Sequence, residues 1–151
     1  MQLETYIDSL VTKDIIPGMS ILAARKDQIV YKHHYGRKAT FPHPEPLLEN
    51  TIYDVASLTK PLITGFLLLY LLQTEKIRLD TEVKSFFPQL PFGAGMTIRH
   101  LSTHTAGLPD WFPFYLYQKE NYLDVFSELT LDSRPGTSVT YSCPSYILLR
   151  Y

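Results

Sequence analysis

The chain has 151 residues, 45% of them apolar and 13% aromatic, which is enough to bury the core of about one domain and excludes a disordered segment. Its 14 basic and 15 acidic residues leave a net charge of −1 without a long run of one sign, which excludes the electrostatic signature of a nucleic-acid or anionic-membrane partner. Cys143 is the only cysteine in the sequence, so an internal disulfide and a cysteine-rich zinc site are excluded as well.

The first third of the chain predicts a helix, a hairpin and an exposed loop. Apolar residues recur at helical spacing over residues 2–14, which indicates an amphipathic opening helix. Residues 19–25 and 28–36 are two extended runs joined near Lys26-Asp27, and they predict an antiparallel hairpin whose turn lacks the favoured glycine. Residues 40–50 contain three prolines among polar residues, a composition typical of an exposed loop.

An apolar run over residues 62–72 directly follows Ser57 and predicts a helix over residues 57–73. The run is about half as long as a membrane-crossing helix, and Thr64 and Gly65 interrupt it. We therefore expect a core helix and no membrane span.

The rest of the chain predicts short helices separated by turns. Residues 76–88 indicate a turn and a short helix ended by proline, and residues 97–103 indicate another short helix with Thr97 as its N-cap. The aromatic-rich stretch 111–122 is typical of core or lid packing rather than of a ligand-binding cluster, and residues 120–130 predict a further helix. No linker is long enough to separate two domains, so we expect the whole chain to form one domain.

Ser57 and Lys60 lie three residues apart at the start of the predicted helix, so both side chains fall on one face of its first turn. There Lys60 can polarise or deprotonate the Ser57 hydroxyl, and the positive end of the helix favours the alkoxide formed during attack. The pair therefore predicts a nucleophile and its activator. The structural alternative is that Ser57 is an N-cap, a position that serine favours.

Three sequence blocks occur in order and resemble those of the serine β-lactamase and penicillin-binding-protein superfamily, above all its class C β-lactamase and esterase branch. They are Asp-Val-Ala-Ser-Leu-Thr-Lys-Pro at 54–61, Leu-Ser-Thr-His-Thr-Ala-Gly-Leu-Pro at 101–109, and Arg-Pro-Gly-Thr-Ser-Val-Thr-Tyr-Ser at 134–142. The resemblance implies an α+β fold of the β-lactamase/transpeptidase type, with helices packed on an antiparallel sheet and a helical subdomain that holds the site. It also implies a serine hydrolase that is acylated by an ester or amide substrate, is esterase- or peptidase-like, and needs no cofactor.

The same blocks imply roles for individual residues. By position, Ser57 matches the acylated nucleophile, Lys60 the lysine that tunes it, and Tyr141 the tyrosine that relays the proton to the leaving group. A tyrosine titrates near 10 in water, and a neighbouring cation such as Lys60 lowers its pKa. Without the resemblance, Tyr141 would be interpreted as one more packed aromatic residue. His104, in the second block, is interpreted as a structural residue of a loop that side-chain hydrogen bonds hold in place.

Two features depart from the family pattern. Cys143 stands where the family's Tyr-x-Asn element has asparagine, and a thiol cannot replace an amide that both donates and accepts hydrogen bonds. A second nucleophile at Cys143 is the alternative, but no base is assignable beside it.

The chain also stops at Tyr151, whereas a complete family domain is more than twice as long, so the fold is expected to be truncated. The alternative function is therefore an inactive relic that acts as a binding or interaction protein.

The expected partners are small-molecule esters or amides, with no nucleic acid and no metal ion. His33 and His34 alternate across a predicted strand and cannot present two adjacent ligands to one metal. The N-terminus lacks a basic segment followed by an apolar one, so a cytoplasmic location is expected. The sequence makes no prediction of the oligomeric state.

Overall fold

The structure is a computed structural model that describes residues 2–151. The chain divides into two compact units, Met1–Asp54 and Val55–Tyr151, and each is described by itself. Helices and an antiparallel sheet are both present, as the predicted fold class requires. The interpretation of the whole chain as one incomplete domain stays a prediction.

The first unit contains one helix and a three-stranded antiparallel sheet. Helix α1 spans Leu3–Thr12, and strands β1, β2 and β3 span Gly18–Arg25, Gln28–Ala39 and Glu45–Pro46, in the spatial order β1-β2-β3. The predicted hairpin is confirmed. Because its turn lacks a glycine, Lys26 itself adopts the left-handed backbone conformation, with φ of 55°.

The hairpin register is set along its whole length. Gly18 pairs with Gly36 at one end and Arg25 with Gln28 at the other, with an irregularity after Ala23. Because side chains alternate between the two faces of a strand, this register decides which residues share a face.

The helix predicted over residues 57–73 forms as three consecutive pieces. A 3₁₀ turn spans Ala56–Leu58, a π-helical segment spans Lys60–Gly65, and α2 spans Phe66–Gln73, where the predicted helix also ends. Pro61 lies in the first turn of the π-helical segment, where its missing N–H removes no helical hydrogen bond. Ser57 lies in the 3₁₀ turn and Lys60 begins the π-helical segment, and their spacing of three residues keeps both side chains on one face of the first turn.

This segment is not the core helix that the sequence predicts, since none of residues 56–73 is buried. The hydrophobic core of the second unit is built from later residues, among them Val83, Leu90, Met96, Leu101, Leu108, Phe126 and Leu148. By length and composition alone, the 18 residues from Ala56 to Gln73 are apolar enough to cross a membrane, a property that core helices of soluble proteins share. The absence of a membrane span stays a prediction.

The remaining helices of the second unit are short. Helices α3, α4 and α5 span Ile98–Ser102, Tyr122–Glu128 and Cys143–Leu148. Single 3₁₀ turns lie at Val83–Ser85, Phe114–Leu116 and Lys119–Asn121. The predicted helix over residues 120–130 is therefore confirmed in its central part.

The N-cap predicted for α3 is confirmed and has a reciprocal partner. Thr97 Oγ1 accepts the backbone N–H of His100 at 3.3 Å, and His100 Nδ1 accepts the backbone N–H of Thr97 at 3.2 Å. Two otherwise unpaired amides of the first turn are thereby satisfied.

A pair of loops packs tightly at Gly107. This glycine has φ of 77°, its carbonyl oxygen accepts the N–H of Asp132 at 2.8 Å, and a Cβ added to it would lie 2.0 Å from the carbonyl oxygen of Ser133. Only a residue without a side chain satisfies both the conformation and the space.

Gly107→Ala is expected to lower the free energy of unfolding by about 2–5 kcal/mol, because left-handed strain adds to a backbone clash. Gly95→Ala is the matched control, since Gly95 has the same φ of 77° but nothing within 4 Å of an added Cβ. The control should lose only about 1–2 kcal/mol, the cost of strain alone. Urea denaturation followed by near-UV circular dichroism measures both, and equal losses would contradict the close approach.

Candidate active site

The structure brings the side chains of Ser57 and Lys60 into contact. Lys60 Nζ donates a hydrogen bond to Ser57 Oγ at 3.1 Å, and Ser57 is exposed while Lys60 is half-buried. The spacing of three residues therefore produces the contact that the sequence predicts. A cation at this distance can stabilise negative charge that develops on the hydroxyl oxygen.

Backbone strain lies directly before Ser57. Ala56 has φ of 42°, a conformation that non-glycine residues rarely adopt and that costs about 1–3 kcal/mol. Ala56 is the first residue of the 3₁₀ turn that contains Ser57, so this backbone conformation lies directly beside the candidate nucleophile. The sequence carries no signal for this feature, because alanine has no preference for the left-handed region.

Tyr141 lies in the same cluster, although it is distant in sequence. Its ring centroid is 5.1 Å from Lys60 Nζ. Hydrogen bonds from Ser57 and from Lys60, the first being the stronger cause, hold the pKa of the Tyr141 phenol below its ordinary value of 10. The positive charge of Lys60 lowers this pKa further, whereas partial burial opposes the change. These contacts therefore make the phenolate of Tyr141 easier to form beside the serine hydroxyl than it is in water.

Cys143 contacts the same lysine. Lys60 Nζ donates to Cys143 Sγ at 3.7 Å, and the backbone N–H of Cys143 donates to the carbonyl oxygen of Asp110 at 2.8 Å. The thiol therefore stands where the family pattern has an amide, and it accepts a weak hydrogen bond from the ammonium group.

His104 holds the loop on which Tyr141 lies. Its Nδ1 accepts the backbone N–H of Ser142 at 3.0 Å, and its carbonyl oxygen accepts the N–H of Thr140 at 2.9 Å. Its own backbone is in the left-handed region, with φ of 59°. The interpretation of His104 as a loop residue held by hydrogen bonds is confirmed, but its connection to Tyr141 has no signal in the local sequence.

A cleft of about 580 Å³ opens beside these groups. Ser57, Lys60 and Cys143 line it, together with apolar side chains of the segment 63–71 and of helix α5. A carbonyl compound can therefore reach the hydroxyl of Ser57 from the cleft.

A serine side chain also contacts a histidine side chain in the first unit. Ser20 Oγ is 2.9 Å from His34 Nδ1 and 3.0 Å from the hydroxyl of Tyr53. His33 instead packs its ring against Tyr35, with centroids 4.4 Å apart, so the two histidines face different neighbours. Within residues 2–151, no group of three or more His, Cys, Asp or Glu side chains is arranged to hold a metal ion.

The curated proteins to which the chain is similar include two of different kinds. Penicillin-binding protein 4* of Bacillus subtilis (strain 168) is 29% identical over 157 residues, which cover 97% of this chain and 34% of that protein. Esterase EstB of Burkholderia gladioli is 31% identical over 116 residues, which cover 73% of this chain and 29% of that protein. The chain thus spans about a third of the length of these curated relatives.

Solved structures agree with the sequence comparison. A class C β-lactamase superposes with a TM-score of 0.81 at 27% identity, over 97% of this chain and 40% of that one. The family model described as Beta-lactamase matches residues 3–151, which is nearly the whole chain. The fold class and the resemblance predicted from the sequence are both confirmed, and the chain belongs to the Beta-lactamase family.

Proposed function

We propose that this chain provides the nucleophile and the proton-transfer groups of a β-lactamase-type serine hydrolase that acts on esters or amides. The observation that carries the proposal is the contact of Ser57 with a lysine on one side and with a tyrosine of lowered pKa on the other. Family members are serine hydrolases, and the relatives include a penicillin-binding protein and an esterase.

The proposed acylation begins with attack of Ser57 Oγ on the carbonyl carbon of the substrate. The hydroxyl proton passes to the phenolate oxygen of Tyr141, which then gives it to the leaving alcohol or amine. The Lys60 ammonium group donates to Ser57 Oγ and stabilises the phenolate. Water then attacks the acyl group and releases the acid, which restores Ser57.

The backbone N–H of Ser57 is proposed as one donor to the oxyanion that forms on the carbonyl oxygen. Loss of one such donor costs serine hydrolases about 3–4 kcal/mol of transition-state stabilisation. With this one donor, acylation is expected to be fastest with strongly activated reagents, which depend least on stabilisation of the oxyanion.

An esterase- or peptidase-like substrate is proposed in preference to a β-lactam. Cys143 replaces the amide of the family pattern, and its thiol, which accepts from Lys60, is a weaker donor and acceptor than an amide would be. The alternative, a relic that only binds ligands, predicts reversible binding without a covalent bond. The proposed substrates are small molecules, and no cofactor, nucleic acid or membrane is part of the proposal.

Covalent labelling tests the proposal directly. The folded chain is incubated with a fluorophosphonate, an activated aromatic ester and a penicillin, and intact mass and peptide mapping locate each adduct. The expected result is one adduct on the peptide that contains Ser57, formed fastest with the fluorophosphonate. Absence of any adduct on protein that is folded by NMR would contradict the proposal and favour the relic.

A further inference from the structure

The loop that carries Tyr141 is held on both sides of the tyrosine by one residue. The carbonyl oxygen of His104 accepts the N–H of Thr140 at 2.9 Å, and its Nδ1 accepts the N–H of Ser142 at 3.0 Å. Between these two contacts, the imidazole packs against the phenol ring of Tyr141, with centroids 4.5 Å apart and an angle of 36° between the planes. Backbone and ring of a single residue therefore bracket the proposed base.

We call the two hydrogen bonds that His104 accepts, from the N–H groups of Thr140 and Ser142, the clasp. Further hydrogen bonds anchor its Ser142 end. Ser142 is buried, and its Oγ donates to the carbonyl oxygen of Pro109 at 2.7 Å and accepts the N–H of Ser145 at 3.1 Å. Ser142 is the N-cap of α5, so the N–H group that donates to His104 belongs to a residue anchored to a helix. The Ser142 N–H has its acceptor in His104, and a buried amide without an acceptor would be costly.

We propose that His104, in its neutral form with Nδ1 unprotonated, is a positioning residue that holds Tyr141 in hydrogen-bond reach of Ser57 and Lys60. The inference rests on the proposed function, because it assigns the residue that aims the proposed base. His104 does not touch the reacting atoms in this arrangement. It acts through the two amides and the ring of Tyr141.

The charge around the imidazole supports the neutral form. Burial, followed by repulsion from Lys60, holds the pKa of His104 below its ordinary value of 6.5. The other titratable groups against its ring are the phenols of Tyr141 and Tyr146, the latter with its centroid 5.0 Å away. Protonation would fill the lone pair of Nδ1, break the bond from the Ser142 N–H and place a second cation near Lys60.

Two substitutions at His104 distinguish the effect of losing its hydrogen-bond acceptor from the effect of changing its backbone conformation. His104→Gly keeps the left-handed φ without strain but removes the acceptor and the ring. His104→Asn also tolerates the left-handed region and places an amide oxygen near the position of Nδ1, so it restores an acceptor. His100→Asn is the matched control, because His100 Nδ1 also accepts a backbone N–H, that of Thr97 at 3.2 Å, and belongs to the cap of α3.

The test measures the clasp by NMR on the isotopically labelled full chain. In the wild type we expect a coupling through the hydrogen bond between the Ser142 amide nitrogen and His104 Nδ1, and protection of the Ser142 amide proton relative to its intrinsic exchange rate at the same pH. Both the coupling and this protection should be lost as the pH falls below 6.5 and through the lowered pKa of His104. Absence of the coupling at neutral pH would overturn the proposal without any variant.

The same variants are then compared by the titration of the Tyr141 ring carbon and by the rate of Ser57 labelling. His104→Gly should raise the pKa of Tyr141 towards 10 and slow labelling about 100-fold, the usual effect of misplacing a reacting group by about 1 Å. His104→Asn should recover most of both, and His100→Asn should change neither. Equal behaviour of the Asn and Gly variants, or an unchanged Tyr141 titration in His104→Gly, would overturn the proposal.

Failure of the proposed function gives a different pattern. If wild-type Ser57 is not labelled, the hydrolase proposal is contradicted, while the Ser142 coupling and the Tyr141 titration still decide the role of His104. If His104→Gly does not fold, the coupling in the wild type and the titration of Tyr141 in His104→Asn decide it.

Discussion

Ser57→Ala is expected to reduce covalent labelling by the fluorophosphonate and the activated ester to the level of the unfolded chain. The substitution removes the oxygen that forms the acyl bond but leaves Lys60 and Tyr141 in place. In another serine hydrolase, loss of the nucleophile lowers turnover on the order of 10⁶-fold, because the groups of such a site act as a unit. Intact mass at matched reagent concentration, with the labelling rate as a function of time, measures the effect.

Ser20→Ala is the matched control for this experiment. Ser20 is also exposed, and its hydroxyl contacts the imidazole of His34, the type of neighbour that activates serine in many hydrolases. The control should be labelled at the wild-type rate on the Ser57 peptide. An adduct that persists in Ser57→Ala and maps to Ser20 would contradict the proposed site and place the reactive serine in the first unit.

The hairpin illustrates what local sequence predicts well. Two extended runs, 19–25 and 28–36, separated by two polar residues leave few alternatives to antiparallel pairing, and β1 and β2 follow them closely. The helix type at each position within a predicted helix is harder to predict from local sequence. The helix over residues 57–73 ends where its apolar pattern ends, but its division into 3₁₀, π and α pieces has Pro61 as its main local sign.

The sequence predicts the burial of side chains less well than it predicts secondary structure. The apolar composition of residues 62–72 correctly indicates a helix, but it does not state which partners cover that helix. In the structure Phe66 and Leu69 are 64% and 61% exposed, and the core forms around Phe126 and Met96 instead. Burial of a helix depends on contacts with distant parts of the polypeptide, and the periodicity of one segment cannot encode those contacts.

The candidate site likewise combines contacts that local sequence predicts with contacts that depend on the tertiary fold. The contact between Ser57 and Lys60 follows from spacing within one turn and was predicted from the residues alone. Cys143 lies 83 residues from Lys60, so its contact with that lysine depends on the tertiary fold. The pairing of Tyr141 with the lysine was expected only from the family resemblance, and the clasp of His104 on Thr140 and Ser142 had no local signal.

Tyr141→Phe should slow labelling of Ser57 by about 10²–10⁴-fold, the usual contribution of a positioned general base. The pH dependence carries the sharper prediction. Because hydrogen bonds from Ser57 and Lys60 lower the pKa of Tyr141, the phenolate fraction grows as the pH rises through a value below 10. The wild-type labelling rate should therefore rise with pH in that range, and the rise should be absent in Tyr141→Phe.

Two controls assign this rise to Tyr141. Tyr146→Phe is matched in chemistry, since the Tyr146 ring also lies near Lys60, with its centroid 5.9 Å from Nζ, but its hydroxyl donates to the carbonyl oxygen of Ser102. It should leave the pH profile unchanged. Lys60→Met removes one hydrogen bond and the positive charge, so the rise should move to higher pH as the pKa of Tyr141 returns towards 10. A wild-type profile that is flat across this range, or one that Tyr141→Phe leaves intact, would show that another group accepts the proton of Ser57.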